Sequence, residues 1–215
     1  MGALTDYAQN KVTDALRRGQ SLGAPTTLYF ALLTCTKGAR ANSTAYSLND
    51  TIAVQANDSR YHLYKCTTAG TSAASQSTLY PGTAGESVTD GTAVFTEQNS
   101  ALDNGTAMVE PSGGGYARVA VTASLANFSG TQGAGTTTAS TGTTGTSSNN
   151  NAITFPTPSA DWTTGTVKIW GWAWFDASSA GNAWEWGPLT ALQSVLNGQS
   201  APSFASNALS LTVGN

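Results

Sequence analysis

His62, in Arg60-Tyr61-His62-Leu63-Tyr64, and Glu185, between Trp184 and Trp186, are the side chains from which chemistry could start. His62 is the one histidine of the chain. As the general base of a Ser–His–Asp arrangement it needs a nucleophile on a sharp turn and an orienting carboxylate. Nothing near it marks such a turn, and its own segment reads as a strand, so it is expected to be structural. Glu185 is more suggestive, because indoles around a carboxyl push its pKa up, as in the acid of a glycosidase pair. Its partners would come from Glu86, Asp90, Glu97, Asp103, Glu110, Asp161 and Asp176. Most of these sit beside Gly, Ser or Asn, where acidic residues cap turns. In a strand, Glu185 also points away from the face that Trp184 and Trp186 share. One histidine and two cysteines make no soft metal site. The glycine-rich PSGGGYAR at 111–118 lacks the Lys-Ser/Thr of a phosphate loop. The expectation is a non-enzyme with no catalytic, metal or cofactor residues.

Cys35 and Cys66 leave two readings open: two buried thiols, or a disulfide beside a domain junction.

The aromatic pattern is sharper. In KIWGWAWFD, 168–176, Trp170, Trp172 and Trp174 fall at every second position, so a regular strand puts all three on one face. Val167, Ile169, Gly171, Ala173 and Phe175 then share the other. Such a row could stack on sugar rings, form a subunit interface, or be core. Core or interface is favoured for these three and for Trp184 and Trp186. In the core reading, sheet covers one side of the strand and the N-terminal helix the other.

The elements that position these residues are mostly strands. Leu4, Ala8, Val12 and Ala15/Leu16 have helical spacing, with Thr5 as N-cap, Asp6 in the first turn, Arg17 and Arg18 in the last, and Gly19 as stop. TTLYFALLTC (26–35), YARVAVTAS (116–124), NAITFPTPS (151–159), TVKIWGWAWF (166–175) and AWEW (183–186) read as strands, with two more within 203–214. Residues 129–151 hold no charge and almost nothing apolar, and read as a flexible loop or as an arm ordered on a neighbouring subunit. Residues 42–103 hold the histidine and Tyr46, Tyr61, Tyr64 and Tyr80, with three short strands, and read as an inserted β-module. The fold class expected is mainly β: an antiparallel β-sandwich body, 1–41 and 104–215, with a short N-terminal α-helix and a small inserted β-domain.

Bulk properties narrow the partners. Only 10% of the residues are charged, the net charge is −3, and the nine basic residues are scattered. That speaks against nucleic acid, which needs clustered cations. No apolar run is long enough for a membrane span, and the first residues read as an amphipathic helix rather than a signal peptide. Low charge suits a subunit that buries much of its surface in an assembly.

ALTDYAQNKVTDALRRG, APTTLYFALLT, SGGGYARVAVT, ITFPTPSADW, GNAWEWGPLT and NALSLTV follow one another in an order that resembles a family of tailed-phage virion proteins, often labelled phage tail fibre proteins. The resemblance spans nearly all of 1–40 and 105–215, although the run at 129–151 is longer than the family leads one to expect. STAYSLNDTI, YHLYKCTTAGTSAASQS and GESVTDGTAVF resemble a small phage β-module, itself similar to chitin-binding-type carbohydrate modules. Where that module carries Trp, this chain has Leu79-Tyr80 and Phe95. The resemblance implies a structural virion component (fibre, collar or capsid decoration), assembled in the bacterial cytoplasm, with copies of itself and other virion proteins as partners. The alternative is adhesion to host surface glycan, with Tyr46, Tyr64 and Tyr80 as contacts.

Overall fold

The computed structural model describes residues 2–76 and 79–213. Gly214, at the end of the last expected strand, and Ser77, at the end of one quoted module motif, lie outside them.

The chain starts with β1 (Ala3–Leu4) and α1 (Asp6–Arg18). The helix begins and ends as its caps require: Thr5 Oγ1 accepts from the Ala8 amide, and Gly19 takes the left-handed conformation at φ 65°. It is tethered by its first turn. The Thr5 hydroxyl donates to the Ala183 carbonyl at 2.5 Å, and the Tyr7 ring meets Trp184 edge-on at 5.4 Å. Ala8 is the buried residue of the helix.

Then follow β2 (Thr27–Cys35), β3 (Ala45–Tyr46), β4 (Thr51–Gln55), β5 (Tyr61–Thr68), β6 (Gly70–Thr71), β7 (Ser87–Asp90), β8 (Ala93–Glu97) and the one-turn helix α2 (Asn99–Asp103). The rest comprises β9 (Val119–Thr122), β10 (Thr146–Ser148), β11 (Ile153–Thr154), β12 (Lys168–Phe175), β13 (Ala183–Gln193), β14 (Ser203–Phe204) and β15 (Ser210–Thr212). The protein is mainly β and its named strands pair antiparallel, as the sequence leads one to expect. The main sheet runs β1-β13-β12-β2-β9; β4-β5-β8-β7 form a second sheet, and β10–β15, β11–β14 and β3–β6 are two-stranded ladders. Tertiary pairing carries β13 past Trp186 and through Pro188, well beyond the expected AWEW. The two-residue β11 is shorter than expected, because Pro156 and Pro158 stop it.

The three tryptophans of β12 do not share a face. Against β2, Ile169 pairs with Thr34 and Gly171 with Leu33, so two steps on one strand meet one step on the other. The register breaks at the same place against β13. This is a β-bulge, and the extra residue reverses the alternation. Ile169, Trp172 and Trp174 enter one core with Phe30, Leu32 and Phe155. Trp170, Ala173 and Phe175 enter another with Leu33, Leu63, Leu102 and Trp186. A Cβ on Gly171 would lie 2.9 Å from the Gly187 carbonyl oxygen, so the close approach of backbones here requires glycine.

The first core is closed by the short ladders: Ile153 and Phe204 of β11 and β14, with Leu209 before β15. The second is closed by Ala53 of β4, Leu63 of β5 and Leu102 of α2, not by the N-terminal helix that the sequence suggests. A third core lies inside the second sheet, around Ile52, Tyr64, Tyr80 and Phe95. Residues 129–151 fold on their own chain. The Thr131 hydroxyl bonds the Gly142 backbone, the Gln132 amide bonds Thr138 and Ala139, and buried Asn149 bonds the backbone at Asn151, Ala205 and Leu209.

Gly187 backs onto the Trp172 ring: a Cβ there would stand 2.7 Å from Cζ2 and 2.9 Å from Cε2. Gly187→Ala is expected to cost about 1–3 kcal/mol through overpacking, against a gain of about 0.4–1 kcal/mol from lost glycine entropy. Urea unfolding should show a lower midpoint at unchanged slope.

Candidate functional site

Five of the six indoles are sealed. Trp170 is fully buried, and Trp162, Trp172, Trp174 and Trp186 are at most 6% exposed. Phe30 packs on Trp174 at 4.6 Å and on Trp172 at 5.8 Å, and Trp170 lies 6.2 Å from Trp186. Trp186 Nε1 donates to Asp103 Oδ1 at 2.8 Å, tying the main sheet to α2. Trp184 is half-buried against Tyr7. The row therefore offers no open platform to a sugar.

Glu185 pairs across the ladder with Trp174. Its side chain lines a pocket of about 230 Å³ whose other walls include Leu4, Leu28, Phe128, Leu209 and Leu211. Burial among these apolar groups pushes its carboxyl up to about 8. The pocket thus supplies the burial that raises an acid, but no second carboxylate lines it to complete a glycosidase pair.

In the second sheet the three candidate tyrosines face inward: Tyr64 and Tyr80 are fully buried and Tyr46 is 3% exposed. Tyr46 Oη accepts from the Ala41 amide, Tyr64 Oη donates to the Pro81 carbonyl, and Tyr80 Oη donates to Asp90. Tyr64 and Tyr80 pack edge-to-face at 4.8 Å. None presents a ring face outward for stacking. Alternation in β5 turns Tyr64 inward, while Tyr46 belongs to β3 and Tyr80 to the loop before β7, and each hydroxyl is satisfied by its bond.

Asp90, at the end of β7, is the hub of bonds at one edge of this sheet. Arg40 grips it with two bonds, Nε–Oδ2 at 2.6 Å and an Nη2–Oδ1 bond at 2.9 Å, and the Ala73 amide and Tyr80 hydroxyl also donate to it. Arg40 also donates to the Asn42 side chain and the Ala73 carbonyl. Burial pushes the Asp90 carboxyl up, but these bonds outweigh it and hold it below the ordinary carboxylate range. At the other end of β8, His62 Nδ1 lies 2.9 Å from Glu97 and Nε2 lies 3.1 Å from Asp58. Burial pushes the imidazole down, yet these two partners carry its pKa above the usual value.

A second clamp went unseen in the sequence. Arg118 lies 3.6 Å over the Phe175 ring, holds Glu110 at 2.6 Å and donates to the Ala177 and Ala180 carbonyls. Tyr116 donates to the same Glu110 and accepts from the Leu32 amide. The alternation of YARVAVTAS gave Arg118 a side of the strand, but no local signal gave its partners.

Cys35 and Cys66 are free buried thiols, not a disulfide. They belong to separate cores, and each Sγ faces its own backbone carbonyls. Burial pushes Cys35 up to about 11. Among the described residues, no group of three or more His, Cys, Asp or Glu is placed to hold a metal ion, and no helix is long and apolar enough to cross a membrane.

The fold and its interior thus define a β protein whose polar and aromatic groups are spent on its own packing. Residues 92–212 match the family described as podophage GP4 fiber I protein gp80. The chain belongs to this family of phage fibre proteins, and is accordingly a structural component of the virion. No curated protein matches the sequence.

Two variants probe the buried charges. Arg40→Met strands the Asp90 carboxylate and should cost about 3–5 kcal/mol. In the parent, the depressed Asp90 pKa contributes stability that is present above pH 4 and lost as pH falls through the folded value. Acid unfolding followed by circular dichroism should be shallower in the variant. Glu185 acts with opposite sign. The unfolded chain loses this proton near pH 4.5 while the native chain keeps it to about 8, so stability declines with rising pH across that window. Glu185→Gln should reduce the decline in thermal melts between pH 5 and pH 8, leaving the part that the raised His62 contributes.

Proposed function

We propose that the chain is a fibre subunit that acts mechanically, by packing against copies of itself and anchoring to other virion proteins, and that it catalyses no reaction. The observation that carries this reading is the sealing of five of the six indoles in the protein's own cores. The rest of the surface agrees with it. Arg40, Arg118, Asp90, Glu97 and Glu110 are committed to internal bonds, which leaves a surface rich in Thr, Ser, Asn and Gly. Such a surface lets neighbours approach closely without stranding charge.

Residues 42–103 are an inserted module in this reading, carried on a body made of 1–41 and 104–215. Supporting it, the second sheet closes around a core of its own and meets the body through Ala53, Leu63 and Leu102. Within the body, Leu16 of α1 is 78% exposed, and Val109, Leu125 and Val213 are more than half exposed; a helix of the length of α1 is also marginal in water by itself.

Light scattering on the purified chain, together with gold-labelled antibody on intact particles, tests the proposal. The expected result is a mass that is an integral multiple of the chain's and label on the appendages. Label on the neck or head would move the subunit to a collar or decoration role. A monomer that labels no part of the particle would remove the reading. Titration with host surface polysaccharide should leave the tryptophan emission unchanged; a spectral shift with retention on host cells would favour glycan adhesion instead.

A further inference from the structure

The Glu97 side chain is wholly enclosed, whereas that of Asp58 is 40% exposed. Among the described residues, His62 is the one side chain within ion-pair distance of Glu97. A carboxylate taken out of water without a countercharge is costly. The charge of Glu97 is therefore tied to a proton on His62. Glu97 also organises its surroundings: its Oε2 accepts from the Asn99 amide at 2.8 Å and from the Gly85 amide at 3.3 Å.

The Asn99 amide opens α2, and α2 makes the joint between the two sheets. Leu102 is fully buried in the shared core with Leu33, Trp170 and Trp186, and Asp103 accepts from Trp186 Nε1. A cavity of about 160 Å³ runs along this joint, lined by His62, Asn99, Asp103, Arg60 and Trp186 among others. The groups that face the imidazole are thus Asp58 from the turn before β5, Glu97 from β8 and Asn99 from α2, with the Tyr64 ring 6.4 Å away. Arg60 and Asp103 share its cavity.

We propose that His62 is a proton-operated latch on the joint between the two sheets. Protonated, both ring nitrogens donate, one to Asp58 and one to Glu97, and the neutralised Glu97 fixes the start of α2. When the proton leaves to solvent on the open Asp58 side, a neutral ring can donate to only one carboxylate. Glu97 then loses its countercharge, the enclosed carboxylate is no longer pinned to β5, and α2, which starts from its bond to the Asn99 amide, loosens from Trp186. The folded value lies above that of a free imidazole, so the latch is closed below about pH 6.5 and opens as pH rises through the folded value. The inference stands apart from the fibre reading, since it concerns the chain by itself.

Because the chain holds one histidine, its ring Cε1–H resonance reports the titration without assignment. On the full chain, His62 is expected to titrate above pH 6.5. Hydrogen exchange in the peptide covering 99–103, corrected for intrinsic rates, should speed up about tenfold or more across the same titration. Glu97→Gln should lower the His62 midpoint and remove the coupled change. Should that variant fail to fold, Asp58→Asn, on the open side, must lower the midpoint in a folded chain. A His62 midpoint at or below 6.5, or protection of 99–103 that does not follow it, overturns the proposal. So does a protection change that vanishes in Glu185→Gln, since that carboxyl titrates in a neighbouring range.

Discussion

The bulge at Trp170 lets one strand serve two cores. Strict alternation along β12 would place three indoles on one side and small or branched residues on the other. The extra residue instead sends Trp172 and Trp174 with Ile169 to one face and Trp170 with Ala173 and Phe175 to the other. Both layers against the main sheet are thereby anchored by large rings. Burying an indole removes on the order of 200 Å² from water, worth roughly 5 kcal/mol gross at 25 cal/mol per Å². That driving force is divided between the short ladders on one side and the second sheet on the other, so neither layer is left to weak contacts alone.

Charge is used with the same economy. Arg40 with Asp90 and His62 with Glu97 join segments distant in sequence, Arg118 with Glu110 closes a loop of eight residues, and each pair has at least one partner almost wholly enclosed. Buried pairs of this kind add little net stability compared with apolar contacts of the same volume, but breaking one is costly. They act as registry pins. Arg40 fixes the turn before β3 to the β7 end of the second sheet, and Arg118 fixes β9 to the β12–β13 turn through the Ala177 and Ala180 carbonyls. In a chain so poor in charged residues, these pins supply directional contacts that apolar packing lacks.

Local chemistry made part of this legible in the sequence. The caps of α1, Thr5 and Gly19, act within a few residues of themselves, and the apolar run of β2 needs no partner to be recognised. The bulge was not legible, because a period of two is the default reading of alternating large residues. It takes the Gly171–Gly187 approach, a contact between two strands, to break that period. The same limit hid α2, whose single turn is set by the Asn99 amide on Glu97 rather than by any helical pattern. The tyrosines of the second sheet were visible as residues but not as interior ones, since a ring that stacks on sugar and a ring that fills a core have the same local signature. Only the hydroxyl partners, Ala41, Pro81 and Asp90, tell them apart.

A gripping site and a building part make opposite demands on aromatic surface. Stacking on a sugar needs a ring face held open to water before the ligand arrives, at the expense of the free energy that burial would have contributed. Here that energy is spent within the chain: the rings are tilted or edge-on to one another at 4.6–6.2 Å, and the polar tips of Trp162 and Trp186 are bonded to protein groups. Exposing Trp162, Trp170, Trp172, Trp174 or Trp186 would mean breaking a core, not turning a side chain. What the chain leaves open is of another kind: a helix held by its first turn, with Leu16 facing solvent, and exposed stretches rich in Thr, Ser, Asn and Gly. Those are features that packing by neighbouring protein can satisfy, and they account for how a chain with so little charge is suited to life in an assembly.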